Sequence, residues 1–271
     1  MFSPYYAWAR RRGSADPLDH CAVNVALYGP RGDRWAMTER SRGSLTRDAR
    51  HLQIGPSALT WSGDCLTARV DEVTVPLPSR LRGTIRLYPE AFTGQKLNLD
   101  AVGCHHWWPV APRARVELDL EKPDLRWHGS GYFDSNAGTL PLEASFAHWD
   151  WARAHLGRGA ALLYNARERG GARTALALHV GADGVIEEMP PPPAAPLPGT
   201  LWRIARGTQA EAPGAPRVLR TLEDAPFYAR SLLATRLMGE DVIAVHESLD
   251  LDRFRKPWVR ALLPFRMPRR R

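Results

Sequence analysis

Apolar and polar positions alternate along most of this chain, and long helical patterns are scarce. Residues 22–28 (Ala-Val-Asn-Val-Ala-Leu-Tyr) alternate with a period of two and end at a Gly-Pro turn. Successive side chains of a strand point to opposite faces, so this alternation predicts half-buried β-strands. Similar short segments, separated by Gly, Pro and Asp, are residues 34–39, 58–61, 65–77, 83–88, 114–120, 125–134, 160–167, 174–180, 201–206, 217–222, 227–236 and 242–248. Many short strands with turn residues between them are typical of a sandwich or barrel.

One helix is predicted, at residues 251–263, and Pro257 must interrupt or start it. Four consecutive prolines at 190–193 begin a stiff, extended segment that cannot occupy the centre of a sheet. Strands are predicted close on both sides of it, so we interpret it as an inter-strand loop rather than a domain linker. The pattern therefore predicts two antiparallel β domains, at residues 1–148 and 149–271.

The positive net charge suggests two classes of partner, nucleic acids and anionic membranes. The formal net charge is +8, but no nucleic-acid-binding module is present in the sequence, so we expect no nucleic-acid partner. Residues 257–268 combine Trp, Leu and Phe with Arg and are followed by Arg269, Arg270 and Arg271. This segment fits contact with an anionic membrane surface. It equally fits a solvated basic tail behind a terminal helix, and both interpretations stay open.

The sequence contains no clear targeting signal and no clear metal-binding motif. No apolar run approaches the ~20 residues that a spanning helix needs, and the first residues do not have the form of a signal peptide. Cys21, Cys65 and Cys104 are odd in number and widely spaced, which fits neither a disulfide framework nor a zinc pair. We therefore expect a protein of the reducing, cytoplasmic side, without a structural metal and without a nucleotide or flavin cofactor.

Candidate chemistry is concentrated in the aromatic-rich residues 105–136. Asp134 shares strand parity with Tyr132, so both side chains should point to the same face. If that face is apolar, desolvation raises the pKa of Asp134 and makes it a proton donor. The alternative is a turn aspartate that caps backbone amides. Aromatic faces that could line a pocket and stabilise a cation are supplied by Trp107, Trp108, Trp127, Tyr132 and Phe133; they could equally be ordinary core residues.

The adjacent residues His105 and His106 point to opposite faces of a strand, so they cannot both ligate one metal ion. His105 shares parity with Trp107 and is the second acid/base candidate. A hydrogen-bonded core histidine is the alternative.

Several blocks resemble the carotenoid 1,2-hydratases, also called hydroxyneurosporene synthases, of purple phototrophic bacteria. The resemblance runs over essentially the whole chain. It is carried by residues 2–10 (Phe-Ser-Pro-Tyr-Tyr-Ala-Trp-Ala-Arg), 34–40, 71–78, 131–138, 220–230, 246–249 and 263–268.

This resemblance implies two lipocalin-like antiparallel β-barrel or sandwich domains with a short C-terminal helix. It also implies a hydro-lyase that needs no cofactor and adds water to the terminal C1=C2 bond of acyclic carotenoids such as neurosporene and lycopene. The family's acid/base and aromatic residues correspond here to His105, Trp107, Tyr132 and Asp134. Trp108, Trp127 and Phe133 are our candidates for substrate contact, and we expect peripheral association with the inner (chromatophore) membrane.

The implied mechanism begins with proton transfer from Asp134 to C2, which leaves a tertiary cation at C1. Trp107 and Tyr132 would shield that cation, and a water held by His105 would attack it. Whether Asp134 or His105 is the first acid stays open. The alternative function is a non-enzymatic, lipocalin-like carrier of carotenoids or other isoprenoids, which needs the pocket but no acid.

Family members usually have further residues before the Phe-Ser-Pro-Tyr-Tyr block, including an aromatic strand. This chain starts at that block, so we expect one or two opening strands of the first domain to be absent.

Overall fold

The computed structural model describes residues 2–13, 15–30 and 32–270. Helices among these residues are short: α1 (Pro4–Arg11), α2 (Leu142–Ser145), α3 (Leu251–Phe254) and α4 (Pro257–Arg266), with 3₁₀ turns at Pro17–Asp19 and Arg42–Ser44. Helix α1 begins where Ser3 accepts a hydrogen bond from the Tyr6 amide at 2.8 Å, the usual role of an N-cap serine. None of the helices within the described ranges is long and apolar enough to span a bilayer.

Strands make up most of the remaining structure. They are β1 (Cys21–Leu27), β2 (Arg34–Arg40), β3 (Leu45–Arg47), β4 (His51–Ile54), β5 (Ser57–Trp61), β6 (Leu66–Val73), β7 (Arg80–Pro89), β8 (Leu97–Asn98), β9 (His105–Lys122), β10 (Leu125–Gly138), β11 (Phe146–Leu156), β12 (Gly159–Glu168), β13 (Arg173–Val180), β14 (Ile186–Met189), β15 (Ala194–Leu197), β16 (Arg206–Gln209), β17 (Arg217–Ala225), β18 (Tyr228–Leu237), β19 (Glu240–Asp250) and β20 (Arg269–Arg270).

The chain forms two compact units that are not continuous in sequence. Unit 1 contains Met1–Pro89, Ala114–Gly131 and Arg260–Arg271, and unit 2 contains Glu90–Arg113 and Tyr132–Val259. Strands β9 and β10 each contribute residues to both units. The division after residue 148 that we predict from the sequence falls inside β11 and stays a prediction.

Unit 1 is built on an antiparallel meander in which β7, β6, β5, β4 and β3 are neighbours in that order, with β9 beyond β7. A second sheet has the order β1-β2-β20, and β20 pairs in parallel with β2. The apolar positions of both sheets meet in one buried cluster: Ala36, Val70, Leu81, Leu118 and Leu120. Burial of alternating apolar side chains therefore holds these sheets together.

Unit 2 contains a seven-stranded antiparallel sheet in the order β14-β13-β12-β11-β19-β18-β17. One face carries small and aliphatic residues that pack into a core, including Ala152, Ala154 and Leu163. The opposite face of β11 carries Trp149 and Trp151, because side chains alternate along a strand. The two faces of this sheet thus have different chemistry, and the aromatic face positions the site described below.

The predicted all-β class is confirmed, with antiparallel sheets and short helices near the C-terminus. In the described part of the chain, each of the two large sheets has an edge strand at both ends and does not close into a barrel. The predicted terminal helix is two helices, and Pro257 begins the second, where its missing N–H costs nothing. Residues 201–206 were wrongly predicted as a strand: Leu201 and Trp202 form an exposed turn, and β16 begins only at Arg206.

Candidate functional site

A cavity of about 340 Å³ lies within unit 2. Its lining comes from two groups of strands. The seven-stranded sheet contributes Trp149, Trp151, Tyr164, Arg230 and Glu247, while β9 and β10 contribute Trp107, Tyr132, Asp134 and Asn136. The cavity is therefore bounded by aromatic rings and holds two carboxyl groups.

The register of the sheet explains why its five side chains meet. Trp151 on β11 lies directly opposite Tyr164 on β12 and Glu247 on β19. Glu247 in turn lies opposite Arg230 on β18. Residues opposite one another in an antiparallel sheet share a face, so these four side chains form one row across it. Trp149 joins the same face two residues before Trp151.

Asp134 is the polar centre of the other wall. Its Oδ2 atom accepts hydrogen bonds from the Trp107 indole Nε1 at 2.9 Å and from the Tyr132 hydroxyl at 3.0 Å. Tyr132 and Asp134 therefore do share one face of β10, as their strand parity predicts. The Asn136 side chain also hydrogen-bonds to this carboxyl group.

Two features of the surroundings shift the Asp134 carboxyl group toward its neutral form. Burial raises the pKa of Asp134 above its ordinary value, although the hydrogen bonds from Trp107 and Tyr132 act in the opposite direction. The negative charge of Glu247 raises the pKa of Asp134 further. A carboxyl group in this setting can donate a proton inside the cavity, which aromatic rings partly line.

Aromatic rings enclose the space around Asp134. Trp107 and Tyr164 have ring centroids 5.4 Å apart, and Tyr132 and Trp151 have centroids 5.3 Å apart. The guanidinium of Arg153 lies 5.1 Å from the Tyr132 ring centroid, and burial lowers the pKa of Arg153 to about 10. The faces of such rings carry negative charge density and attract cations.

Glu247 is held by an ion pair. Arg230 Nε and Nη2 both contact Glu247 Oε1, at 2.9 and 2.7 Å. The Glu247 side chain also lines the cavity. The neighbouring His246 points to the opposite face, where its Nε2 contacts the Gly207 carbonyl oxygen at 2.7 Å.

His105 is not among the residues that line the cavity. Its Nδ1 lies 2.6 Å from Asp100 Oδ2 and its Nε2 lies 3.0 Å from the Leu140 carbonyl oxygen. Strand β10 approaches the ring so closely that a Cβ on Gly138 would lie 2.7 Å from His105 Cδ2. Both ring nitrogens thus already contact protein oxygen atoms, and the predicted role of His105 in holding a water beside Asp134 stays a prediction.

The three candidates for substrate contact lie elsewhere. Trp108 points away from Trp107 by strand alternation, and its Nε1 donates to the Thr93 carbonyl oxygen at 2.9 Å. Phe133, between Tyr132 and Asp134, is half-buried on the other face of β10. Trp127 belongs to unit 1 and lines a separate, largely apolar cavity of about 550 Å³. Their contact with substrate stays a prediction.

Sequence reasoning missed five lining residues: Trp149, Trp151, Tyr164, Arg230 and Asn136. A local signal existed for two of them, since Trp149 and Trp151 are spaced as neighbours on one face of a strand. Tyr164 and Arg230 join the site through long-range pairing. No group of three or more His, Cys, Asp or Glu that could hold a metal ion occurs in the part of the chain that the structure describes.

Comparison with known proteins places the chain in a family. The family model of the carotenoid hydratase CrtC matches residues 1–271. The chain belongs to the carotenoid hydratase family. The resemblance found in the sequence is confirmed, and so is the predicted enzyme class, a hydro-lyase.

Curated relatives extend the match. The chain is 58% identical to an acyclic carotenoid 1,2-hydratase of Thiocapsa roseopersicina, covering 99% of this chain and 67% of the relative. It is 43% identical to an acyclic carotenoid 1,2-hydratase of Cereibacter sphaeroides, covering 100% of this chain and 95% of that protein. A crystal structure of an AttH protein from Nitrosomonas europaea is similar in fold, with a TM-score of 0.60, 15% identity and coverage of 84% of this chain and 79% of that one.

Proposed function

We propose that this carotenoid hydratase adds water to the terminal C1=C2 bond of an acyclic carotenoid, such as neurosporene or lycopene, and forms a 1-hydroxy carotenoid. The names of its relatives support the reaction class. The observation that carries the chemistry is Asp134, a carboxyl group oriented by Trp107 and Tyr132 inside an aromatic cavity.

Protonation of the alkene is the first step. The proton of the Asp134 carboxyl group moves to C2, the C1=C2 π-electrons form the new C–H bond, and the positive charge is left on C1. Only this direction gives a tertiary cation, so the regiochemistry follows from the substrate. The two donors on Oδ2 stabilise the carboxylate that remains.

The aromatic walls then shield the cation. Each ring face within ~6 Å of a cation contributes about 0.5–2 kcal/mol, depending on desolvation. Trp107 and Tyr132 are the nearest candidates because both contact Asp134 directly. Exclusion of bulk water also limits premature loss of a proton.

Water completes the reaction. Its oxygen bonds to C1 and one of its protons must in the end return to Asp134, which restores the acid. These steps need an acid, a base and water, so we propose that no cofactor takes part. His105 acts on this chemistry through the packing of β9 and β10 rather than by touching the substrate.

Expression in a bacterium that accumulates neurosporene or lycopene tests the proposed function. We expect a more polar pigment that is heavier by one water, measured by chromatography and mass spectrometry. Bound but unchanged carotenoid would instead favour the alternative, a lipocalin-like carrier. A pigment of unchanged mass but altered structure would indicate isomerisation or cyclisation.

The proposed substrate dissolves in the membrane, so the enzyme must contact the bilayer to reach it. The structure favours a different contact surface from the basic C-terminus that the sequence suggests. Arg269 donates to Asp19 Oδ2 at 2.8 Å and also to Glu39, so this arginine is committed to ion pairs inside unit 1. Arg270 is exposed, and Arg271 lies outside the described residues. The predicted basic C-terminus therefore offers fewer available charges than its sequence suggests.

A better candidate surface in unit 2 consists of Leu201, Trp202 and Trp258, here called the tryptophan patch. Leu201 is 97% exposed, and the stacked rings of Trp202 and Trp258 have centroids 6.1 Å apart. The exposed cations Arg255 and Lys256 adjoin Trp258 in sequence. Exposed apolar side chains beside cations fit the interface of an anionic bilayer. We propose that this patch docks the enzyme peripherally on the cytoplasmic side of the inner (chromatophore) membrane.

Replacing Leu201, Trp202 and Trp258 together by serine is expected to weaken binding to anionic vesicles by about tenfold or more, because burial of even one such apolar side chain in the bilayer contributes roughly 1.5–3 kcal/mol. Co-sedimentation with vesicles of phosphatidylglycerol and phosphatidylcholine measures the change. Val102→Ser is the matched control, since Val102 is 76% exposed elsewhere in unit 2. Equal partitioning of the triple variant and the wild type would exclude the patch as the docking surface.

A further inference from the structure

Glu247 is a second carboxyl group in the cavity, and the reaction steps above leave it without a role. It lies on β19, with Arg230 opposite on β18 and Trp151 opposite on β11. Its side chain retains 22% exposure although the strand lies inside the sheet. The residue therefore faces the cavity rather than the packed core on the other side of the sheet.

The ion pair with Arg230 fixes the orientation of this carboxylate. Both guanidinium contacts are made to Oε1, at 2.9 and 2.7 Å. A charge-assisted pair of this kind orients a side chain as well as stabilising its charge. The second oxygen, Oε2, is thus left to hold a water molecule inside the cavity.

The two carboxyl groups have contrasting surroundings. Asp134 is packed among Trp107, Tyr132 and other rings, whereas Glu247 is paired with a permanent cation. Pairs of carboxyl groups whose surroundings differ in this way divide the roles of acid and base in other enzymes. Hydration needs both roles in turn, since one group must give a proton to carbon and another must take a proton from water.

We infer that Glu247 binds the nucleophilic water and is the base that accepts its proton as the water oxygen bonds to C1. This inference rests on the proposed hydration reaction. The O–H bond of the water breaks, its electron pair stays on the oxygen, and the proton moves to the Glu247 carboxylate. That proton then passes through solvent in the cavity to the Asp134 carboxylate, so the enzyme ends each cycle unchanged. Arg230 is a positioning residue, because it acts through Glu247.

The alternative is that the ion pair between Glu247 and Arg230 only stabilises the sheet. Isotope exchange distinguishes this structural role from the role of Glu247 as a base. If Asp134 protonates C2 reversibly, enzyme in D₂O places deuterium at C2 of recovered, unhydrated carotenoid. This exchange requires the acid and the cation but no attack by water. A variant that lacks only the water-binding base should therefore keep exchange while losing hydration.

The experiment compares Glu247→Gln with the wild type in D₂O and measures both hydrated product and deuterium at C2 by mass spectrometry. We expect hydration to fall by about 10²–10⁴-fold, the usual contribution of a general base, while exchange stays within about threefold. Asp241→Asn is the matched control, since Asp241 pairs with Arg236 across the same two strands at 3.2 Å and lies outside the cavity lining; it should change neither quantity.

The other outcomes are equally decisive. Hydration by Glu247→Gln at near wild-type rate, or loss of exchange in parallel with hydration, overturns the role of Glu247. If Glu247→Gln does not fold, judged by its melting temperature, Glu247→Asp provides the test, because it keeps a carboxylate and should recover part of the hydration. Absence of both hydration and exchange in the wild type would contradict the proposed function itself.

Discussion

Replacement of Asp134 by asparagine is expected to abolish hydration while leaving carotenoid binding intact. The amide has the same shape as the carboxyl group, and its oxygen can still accept the hydrogen bonds from Trp107 and Tyr132. It cannot donate a proton to carbon, so the rate should fall by about 10⁴-fold, the upper end of the range for general acids. Product formation by chromatography and co-purification of pigment with the protein measure the two properties separately.

The pH dependence of the wild type gives an independent check of the same assignment. Asp134 acts in its protonated form, so activity should fall as the pH rises through its raised pKa. Tyr132→Phe removes a hydrogen bond that lowers this pKa, so the fall in activity should move to higher pH. The other groups acting on Asp134 (Trp107, Asn136 and Glu247) stay in place. Full activity of Asp134→Asn, or a pH profile that Tyr132→Phe leaves unmoved, would remove Asp134 from the role of acid.

Local alternation was sufficient to predict part of this site. Tyr132 and Asp134 are two residues apart on a strand, and period-two geometry alone places them on one face. Their hydrogen bond in the structure agrees with that expectation. Desolvation as the main cause of the raised pKa of Asp134 could also be anticipated, because its neighbours in sequence are aromatic.

The opposite wall of the cavity could not be predicted in this way. Trp151, Tyr164 and Glu247 are brought together by the pairing of β11 with β12 and β19. Pairing register is a property of whole strands and of the turns between them, and a shift of one residue would move Glu247 to the other face. Nothing in the sequence around Glu247 indicates which strand will lie opposite.

One predicted strand is wrong because apolar residues also occur in a turn. Leu201 and Trp202 have the composition of a strand, yet they are exposed and lack a partner strand in the structure. Hydrophobicity identifies residues that gain from burial but does not identify what buries them. In this case the exposed pair is more informative as a candidate contact surface than as part of the core.

The buried pair formed by His105 and Asp100 gives the second large effect, this time on stability. The two side chains are 3% and 0% exposed, and His105 Nδ1 lies 2.6 Å from Asp100 Oδ2. Burial acts to raise the pKa of Asp100, but the hydrogen bonds from His105 and from the Cys104 amide outweigh it, so the pKa lies below its ordinary value. Asp100 is therefore an ionised group whose charge is compensated inside the protein.

His105→Ala is expected to lower the free energy of unfolding by about 3–5 kcal/mol, because it leaves the Asp100 carboxylate buried without its partner. The melting temperature should fall by roughly 10 °C. Asp100→Ala should cause a loss of similar size although Asp100 does not line the cavity, and the double variant should lose less than the sum of the two, since they share one interaction. Thermal unfolding of the three variants measures this coupling. If His105→Ala instead kept wild-type stability and lost only turnover, His105 would be a group that acts on the substrate, and the packing role argued for it would be wrong.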